Sequence, residues 1–127
     1  MNIGSAARAA GLPVKTVRYY ADIGLVDAPD RTESGYRLYD RASVRKLAFV
    51  RRARDFGFSI EECRGLLSLY EDKSRSSADV RAIAAAHLEE IEEKQRQLAA
   101  LRDELAHLVT ACRGDDRPDC PILDRLA

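Results

Sequence analysis

Two cysteines near the end of the chain are the side chains best suited to hold a metal ion. Cys112 and Cys120 are separated by seven residues rich in Gly, Asp and Pro, a spacing that lets two thiolates face each other across a tight loop. No further Cys, His or Met follows Cys112 apart from Cys120, and CxxC pairs are absent, so a tetrahedral zinc site or an iron–sulfur cluster lacks donors here. Two soft thiolates suit a two-coordinate monovalent ion such as Cu(I).

The other potential metal ligands are expected to have structural roles. Cys63 lies beside leucines in a predicted helix, which favours a buried thiol. His87 lies among the regularly spaced apolar residues of a later predicted helix, and His107 is adjacent to Leu108 of the same series. Packing or surface roles therefore fit both histidines better than metal coordination. Asp115 and Asp116 offer hard oxygen atoms, which are unsuited to a soft ion, and turn formation explains them better.

A second set of residues is suited to nucleic acid. Lys15 and Arg18 are three residues apart in a predicted helix, so both side chains point the same way. Long cations reach base edges or phosphates, and the hydroxyl of Tyr19 or Tyr20 can reach a phosphate, although Tyr19 fits a core position equally well. Solvated cations on any small helix would give the same pattern. Further residues of this kind follow and favour DNA: Arg31, Tyr36, Arg37, Arg45, Lys46, Arg51, Arg52 and Arg54.

The distribution of charge agrees with that interpretation. The 127 residues are formally neutral, but residues 1–60 carry 11 basic and 6 acidic side chains, a net charge of +5, and residues 61–127 carry 10 and 15, a net charge of −5. The first half can therefore face a polyanion. Hydrophobic residues make up 46% of the chain and charged residues 33%, which excludes a disordered or collagen-like chain.

Neither a membrane span nor a signal peptide is predicted. No apolar run approaches about 18 residues. Polar Asn2 and Ser5 and basic Arg8 interrupt the stretch where a signal peptide would need its apolar segment. We therefore expect a cytoplasmic protein with no membrane partner. In that reducing compartment, three cysteines are better explained by a metal or redox site than by structural disulfides.

The elements that must position the cationic residues are predicted to be short helices and a hairpin. Residues 5–10 and 13–22 form two helices joined by a tight turn at Gly11, the pattern of a helix-turn-helix. Residues 29–40 alternate polar and apolar side chains around a turn at Ser34-Gly35, which predicts a hairpin. Such a hairpin would be the wing of a winged helix-turn-helix domain.

Two further helices and a linker complete this first domain. A third helix is predicted from after Asp40 to Phe56. Ser59, followed three residues later by Glu62, forms a capping box that opens a fourth helix. Residues 71–77 are polar and predict a linker.

From Val80 the apolar residues follow a sustained heptad pattern. The two seams of this pattern consist of Ala84, Ile91, Leu98 and Leu105, and of Val80, His87, Lys94, Leu101 and Leu108. Only a short tail follows to cover them, so the seams must be buried against another molecule, most economically a second copy. The alternative is that this helix folds back on the first domain of its own chain. A helix of about 30 residues, at about 1.5 Å each, would be longer than that small domain.

The predicted fold is therefore mainly α, with four segments in order. These are a winged helix-turn-helix DNA-binding domain over residues 1–70, a linker over 71–79, a coiled-coil dimerisation helix over 80–110, and a metal-binding loop with a short C-terminal helix over 111–127.

Five separated motifs closely resemble those of the MerR family of bacterial transcriptional regulators. They are Asn2-Ile3-Gly4, Val17-Arg18-Tyr19-Tyr20, Gly24-Leu25-Val26, Ser34-Gly35-Tyr36-Arg37-Leu38-Tyr39-Asp40 and Phe56-Gly57-Phe58-Ser59-Ile60-Glu61-Glu62. The resemblance covers the entire chain. It implies a homodimer joined by an antiparallel coiled coil, which distorts promoter DNA whose two recognition elements are spaced too far apart and so activates transcription by RNA polymerase.

The resemblance also implies roles for individual side chains. Lys15 and Arg18 would read the major groove. The DNA backbone would be held by Tyr20, Arg31, Tyr36, Arg37 and Arg54.

The segment from Ala111 to Ile122 resembles the metal loop of the CueR-like, copper-responsive members of that family. This implies that Cys112 and Cys120 bind Cu(I), or else Ag(I) or Au(I). Arg113, Arg117 and Pro118 depart from the expected loop and leave the discrimination among these three ions open.

Ser77 supports a monovalent ion. Two thiolates and one monovalent cation leave one net negative charge, which a helix N-terminus favours, and Ser77 can cap the helix predicted to start near Ala78. In the family, sensors of divalent ions carry a Cys at this position, contributed across the dimer, whereas sensors of monovalent ions carry Ser. By that resemblance, Ser77 lies beside the metal without ligating it. Without the family, Ser77 is simply a helix cap.

The sequence thus favours a dimeric activator that responds to copper and controls copper-resistance or efflux genes. One alternative is a regulator that senses thiol redox state through a reversible Cys112–Cys120 disulfide, although it lacks a CxxC motif. Another alternative is a coiled-coil interaction protein or a metal-storage protein. Neither function would explain the winged-helix motifs. Catalysis finds no support, because neither His lies near a plausible nucleophile and no phosphate-binding loop is present.

Overall fold

A computed structural model describes residues 1–127 as a mainly helical chain with one two-stranded sheet, as predicted. Its elements are α1 (Ile3–Ala10), α2 (Val14–Asp22), β1 (Asp30–Arg31), β2 (Arg37–Leu38), α3 (Arg41–Asp55), α4 (Ile60–Glu71), α5 (Ser77–Ala111) and α6 (Pro121–Leu126). The chain divides into two units, Met1–Val80 and Arg81–Ala127. No helix is both long enough and apolar enough to cross a membrane.

The first two helices meet at a tight turn, as the helix-turn-helix pattern predicts. The side chain of Asn2 caps α1 by accepting a hydrogen bond from the Ser5 backbone N–H at 2.8 Å. Gly11 ends the helix with a left-handed φ of 71°. This left-handed conformation is the reason that the turn requires glycine.

The hairpin between α2 and α3 is short. Strands β1 and β2 are antiparallel and pair Asp30 with Leu38 and Arg31 with Arg37. Within the turn the backbone N–H of Gly35 donates to the carbonyl oxygen of Thr32 at 2.9 Å, and Gly35 has a φ of 86°. The predicted hairpin with its turn at Ser34-Gly35 is therefore present, and it is called the wing below (residues 30–38).

Side-chain caps define the starts of α3 and α4. The Asp40 carboxylate accepts hydrogen bonds from the backbone N–H of Ser43 at 2.8 Å and from its hydroxyl at 2.7 Å. These bonds, the backbone one first, hold the pKa of Asp40 below its usual value. At α4 both halves of the predicted capping box form, with Ser59 accepting from the Glu62 N–H at 3.1 Å and Glu62 accepting from the Ser59 N–H at 2.9 Å.

The core of the first unit lies where α3 packs against α1 and α4, and where α1 packs against α2. Val17, Leu47, Val50 and Cys63 are completely buried there. Burial raises the pKa of the Cys63 thiol, which donates a weak hydrogen bond to a backbone carbonyl 3.9 Å away. The prediction of a buried structural thiol at this position is confirmed.

Helix α5 starts earlier than the sequence predicts. It begins at Ser77, one residue before the start predicted near Ala78 and three before the predicted coiled-coil segment, so residues 72–76 form the linker between α4 and α5. The hydroxyl of Ser76, and not that of Ser77, satisfies the start of the helix by accepting a hydrogen bond from the Ala78 N–H at 3.1 Å. The prediction that Ser77 is the cap is therefore wrong, because Ser77 is already the first residue of the helix.

The second unit consists of the rest of α5, a loop and α6. None of its apolar side chains is buried. The large apolar side chains exposed along α5 are Leu88, Ile91, Leu98, Leu101, Leu105 and Val109. A helix with such a stripe has no core of its own to pack against.

Candidate DNA interface and metal loop

A concavity of about 670 Å³ opens between α2, the wing and the start of α1. Four of the residues predicted to contact DNA line it, namely Arg18, Arg31, Tyr36 and Arg37. Three guanidinium groups and a tyrosine therefore border one hollow of the first unit. Guanidinium groups and tyrosine hydroxyls are the usual partners of phosphate oxygens, so the surface has the chemistry that a nucleic-acid backbone requires.

Two elements present these side chains in different ways. Arg18 and Lys15 are exposed on α2, one helical turn apart. On the wing, Arg31 donates a hydrogen bond to the Gly35 carbonyl oxygen at 2.9 Å, and Tyr36 is 73% exposed at the turn. The helix therefore offers two cations that can enter a groove, and the wing offers groups that can lie along a backbone.

The start of α1 also belongs to this surface, a position that its residue types alone did not predict. Asn2, Ile3 and Gly4 also line the concavity. The Tyr39 N–H donates to the Met1 carbonyl oxygen at 2.7 Å, which ties the beginning of the chain to the residue that follows the wing. A pairing across 38 residues leaves no local pattern in the sequence.

Arg37 differs from the other cations of the concavity because it is already paired within the protein. Its Nη2 lies 3.0 Å from Oδ1 of Asp22, the last residue of α2. Its Nε lies 3.7 Å from Oδ1 of Asp27, in the segment that leads to the wing. The side chain is only 21% exposed.

The adjacent tyrosines of α2 differ in how far their side chains are buried. Tyr20 is 5% exposed, and burial raises its pKa, whereas Tyr19 is 51% exposed. The prediction that Tyr20 holds the DNA backbone does not fit this placement, since little of its side chain is accessible. A signal was present in the sequence, because Tyr20 follows the apolar Val17 by three residues and so shares its face of the helix.

The basic residues of α3 are mostly exposed, and two of them contact side chains of their own chain. Lys46 pairs with Glu71 at 3.2 Å, and the guanidinium of Arg52 lies 5.0 Å from the centre of the Phe56 ring. Arg54 is exposed near the end of α3 and donates a hydrogen bond to a backbone carbonyl of the turn before α4 at 2.8 Å. It does not line the concavity, so it stands apart from the other predicted backbone contacts.

The loop between α5 and α6 carries the two cysteines predicted to bind metal. Cys112 directly follows α5, and its N–H donates to the Leu108 carbonyl oxygen at 3.0 Å. Cys120 directly precedes Pro121, the first residue of α6. Both thiols are half-buried and neither forms a disulfide. Each thiol is thus fixed at the end of a helix, at opposite ends of one loop.

The geometry of the loop comes from its turn residues. Gly114 adopts a left-handed φ of 64°. The Asp115 carboxylate accepts a hydrogen bond from the Arg117 N–H at 2.9 Å, as expected of a turn residue. The soft donor atoms of this loop are the sulfur atoms of Cys112 and Cys120.

Helix α6 is joined to the second half of α5 by one ion pair. Nε of Arg125 lies 2.6 Å from Oε1 of Glu104. A hollow of about 380 Å³ beside this pair is lined by apolar side chains, among them Leu101, Leu105 and Leu126. Leu126 is nevertheless 77% exposed, so the apolar side of α6 is only partly covered.

Two family models match the chain. One describes a MerR HTH family regulatory protein and matches residues 1–69, and the other describes the DNA-binding MerR region and matches residues 44–108.

Three curated relatives align with the whole chain. The HTH-type transcriptional regulator HmrR of Rhizobium leguminosarum bv. viciae is 59% identical, with 98% of its own length covered. The heavy metal-dependent transcription regulator 2 of Rhizobium meliloti is 49% identical, with 86% covered. The HTH-type transcriptional regulator CueR of Salmonella typhimurium is 42% identical, with 92% covered.

A solved structure has a similar fold over the full length. The transcription regulator PbrR691 from Ralstonia metallidurans, determined in complex with lead(II), aligns with a TM-score of 0.86 at 35% identity. The alignment covers 100% of this chain and 99% of that one.

Proposed function

We propose that this chain, which belongs to the MerR family of helix-turn-helix transcriptional regulators, is a copper-responsive activator of copper-resistance or efflux genes. Members of that family are DNA-binding regulators and not enzymes. This chain acts as a homodimer on promoter DNA and senses Cu(I). The observation that carries the proposal is the pair of free, half-buried thiols at the two ends of one loop, with no third soft donor beside them in that loop. Two relatives support a response to a metal: one is named a heavy metal-dependent regulator, and the structure of the other was determined in complex with lead(II).

Cys112 and Cys120 would hold the ion as thiolates. A soft ion bound there ties the end of α5 to the start of α6. Both thiols must lose their protons for this, so binding releases protons and weakens as the pH falls. The argument for a monovalent ion also rests on Ser77, which offers no thiol at the position where the family's sensors of divalent ions carry a Cys. Ag(I) and Au(I) share the preference of Cu(I) for sulfur.

On the DNA side, Lys15 and Arg18 read base edges in the major groove from the exposed face of α2. Arg31, Tyr36 and Arg54 hold phosphates on either side. Arg37 is not counted among them, because its guanidinium is paired with Asp22.

Tyr19, as the exposed member of the tyrosine pair, takes the backbone role that the sequence assigned to Tyr20. The dimer alters the shape of the promoter so that RNA polymerase can use it.

The homodimer follows from the uncovered seam of α5. Leu98, Leu101 and Leu105 are each more than half exposed in the single chain. Apolar side chains at heptad spacing are buried when a second such helix packs against them, and an antiparallel coiled coil of two copies does this with identical surfaces.

Coupling between metal and DNA requires two dimer states that bind DNA with comparable affinity but hold it in different shapes. Metal shifts their balance only to the extent that it binds one state more tightly. Ile122, Leu123 and Leu126 of α6 form the element that differs between the states, since their apolar side is partly uncovered and Cys120 immediately precedes it.

A second candidate function is a sensor of a divalent soft ion such as Pb(II). The lead(II) complex of the similar structure favours it. The two candidates differ in how many thiolates the ion needs, and therefore in how Ser77→Cys should act.

The test is in vitro transcription from a promoter that the protein binds, with Cu(I), Ag(I), Pb(II), Zn(II) or the thiol oxidant diamide added separately. We expect activation of the wild type by Cu(I). Cys112→Ser and Cys120→Ser should abolish that activation while leaving DNA binding intact, because DNA-binding residues lie in the other unit. Cys63→Ala is the matched control, since it removes the third thiol, which lies outside the loop, and should retain the response.

Each other outcome contradicts a part of the proposal. Copper activation in both single loop variants would exclude Cys112 and Cys120 as the ligands. Activation of the wild type by Pb(II) or Zn(II) alone would favour the divalent candidate, whereas the monovalent site predicts such a response only in Ser77→Cys. Activation by diamide without metal would favour a redox sensor.

A further inference from the structure

We propose that Arg37 is a positioning residue, which fixes the wing to the end of α2 through Asp22 and Asp27, and that it does not neutralise a DNA phosphate. The inference rests on the proposed DNA binding and deepens it. One ion-pair cluster, called the wing clamp below (Asp22, Asp27 and Arg37), holds the wing at a fixed distance from α2, the helix proposed to enter the groove.

The wing clamp joins three consecutive parts of the chain. Asp22 is the last residue of α2, Asp27 lies in the connecting segment, and Arg37 is the first residue of β2. Nη2 of Arg37 is 3.0 Å from Oδ1 of Asp22, and its Nε is 3.7 Å from Oδ1 of Asp27. Nη2 donates a hydrogen bond to Asp22, whereas the buried Nε has no hydrogen-bond partner and faces the carboxylate of Asp27 through charge alone. Helix, connection and wing are thereby tied at one point.

Burial distinguishes Arg37 from the cations that face outward. Its side chain is 21% exposed, and its Nε is fully buried. Tyr36, the preceding residue, is 73% exposed. Tyr36 precedes β2 and is exposed, whereas Arg37 opens that strand with most of its side chain covered. Because Nη2 already donates to Asp22, a DNA phosphate that used this nitrogen would have to displace that carboxylate.

The residue that follows the wing, Tyr39, is buried beside the clamp. Tyr39 is 2% exposed, and its hydroxyl is fully buried without a hydrogen-bond partner. Burial is the main cause of its raised pKa, while Arg37 and Arg31 lower that pKa and Asp27 and Asp22 raise it, which places the hydroxyl near the same cluster. The wing is two residues long in each strand, so this ion-pair cluster is its main polar attachment to α2.

Two explanations of the acidic pair give opposite expectations for DNA binding. Carboxylates beside a polyanion repel it, so if Asp22 and Asp27 act only through their charge, removing them raises affinity. If they hold the wing in place through Arg37, removing them frees the wing and lowers affinity, although two negative charges have been removed.

The experiment measures binding of the full-length protein to its promoter duplex at several salt concentrations. We expect the double variant Asp22→Asn/Asp27→Asn to bind about tenfold more weakly, the scale set by losing a charged hydrogen bond. The matched control is Glu33→Gln, which removes a negative charge at the exposed turn of the wing, outside the clamp, and should bind as tightly as the wild type or more tightly.

The salt dependence separates positioning from phosphate contact. Arg37→Gln should weaken binding without changing the slope of log affinity against log salt, whereas loss of a phosphate contact lowers that slope by about 1. Arg37→Asp combined with Asp22→Arg should recover part of the lost affinity. This rescue distinguishes the clamp from a general loss of folding, which a melting curve of each variant also monitors.

Tighter binding by the double variant, or a slope reduced by about 1 in Arg37→Gln, would overturn the clamp. If the double variant melts below the assay temperature, Asp22→Asn alone is measured against the same expectations. Failure of the wild type to bind the duplex would instead contradict the proposed function itself.

Discussion

The two units of the chain bury their apolar side chains very differently. Every buried apolar residue lies between Ala6 and Leu67, in the first unit. The second unit, Arg81–Ala127, buries none and exposes large apolar side chains along α5 and α6. The first unit therefore has a core built from its own helices, whereas the second needs a surface supplied from elsewhere.

The difference also separates the two chemistries of the protein. The cations and the tyrosine around the concavity stand on α2, which packs against α1, and on the wing, all within the first unit. The two cysteines lie at helix ends in the unit that lacks such a core. Segments with few buried apolar contacts open most easily, so a ligand bound there can change the conformation at small cost in stability.

The largest effect is expected from a charge placed in the seam of α5. Leu98→Asp/Leu101→Asp puts two carboxylates where two copies would pack, so the dimer should dissociate because a charge cannot be buried there unpaired. Each monomer then holds one half-site, and affinity for a promoter duplex should fall by about 100-fold through the loss of bivalent binding. Sedimentation and DNA titration measure the two effects.

The matched control for the seam variant is Ala99→Asp. Ala99 is exposed on the same helix but belongs to neither seam of the heptad pattern, so this variant should remain dimeric. A double seam variant that sediments as a dimer and binds normally would show that the apolar stripe serves another purpose.

A smaller effect is expected in the core of the first unit. Leu47 is 0% exposed, and Leu47→Ala should lower the free energy of unfolding by about 2–5 kcal/mol, because it leaves a cavity among packed side chains. Leu123→Ala, at a position 65% exposed in α6, should change it by no more than about 0.5 kcal/mol. Chemical denaturation of both variants tests the contrast, and equal losses would refute it.

Local sequence patterns predicted most of the fold. The order of the helices, the hairpin turn at Gly35 and the capping box at Ser59 each depend on residues close together in the chain, and all are present. The start of α5 differs by one residue from the start near Ala78 that a cap at Ser77 predicts, because Ser76 and Ser77 are equally good caps by type and only the structure shows which hydroxyl accepts the bond.

The candidate DNA interface was less predictable, because it depends on contacts between distant residues. Residue type identified Arg18, Arg31 and Tyr36, which the fold brings to one concavity. It gave no warning that Arg37 is engaged by Asp22, 15 residues away. Charge alone does not tell whether a cation faces solvent or a carboxylate of its own chain.

The two cysteines illustrate a different limit. Their spacing, the flanking helices and their free thiols agree with a two-sulfur site. Which soft ion they select depends on charge and packing around the sulfur atoms, and part of that packing, the family resemblance implies, comes from a second copy of the chain. A single sequence contains no pattern that predicts this packing.

The smallest predicted effect concerns a polar contact of the first unit and depends on pH. Hydrogen bonds from Ser43 hold the pKa of Asp40 below its usual value, so the ionised carboxylate stabilises the folded state. A carboxyl whose pKa is lowered by folding contributes stability above its unfolded pKa of about 4, and that contribution is lost as the pH falls through the lowered pKa. Asp40→Asn keeps a capping oxygen but not the charge. The wild type should therefore be more stable than this variant at neutral pH, and the difference should shrink on acidification. Unfolding curves of both proteins between about pH 7 and pH 3 test this, and a difference that stays constant over that range would mean that the charge of Asp40 does not contribute to the cap.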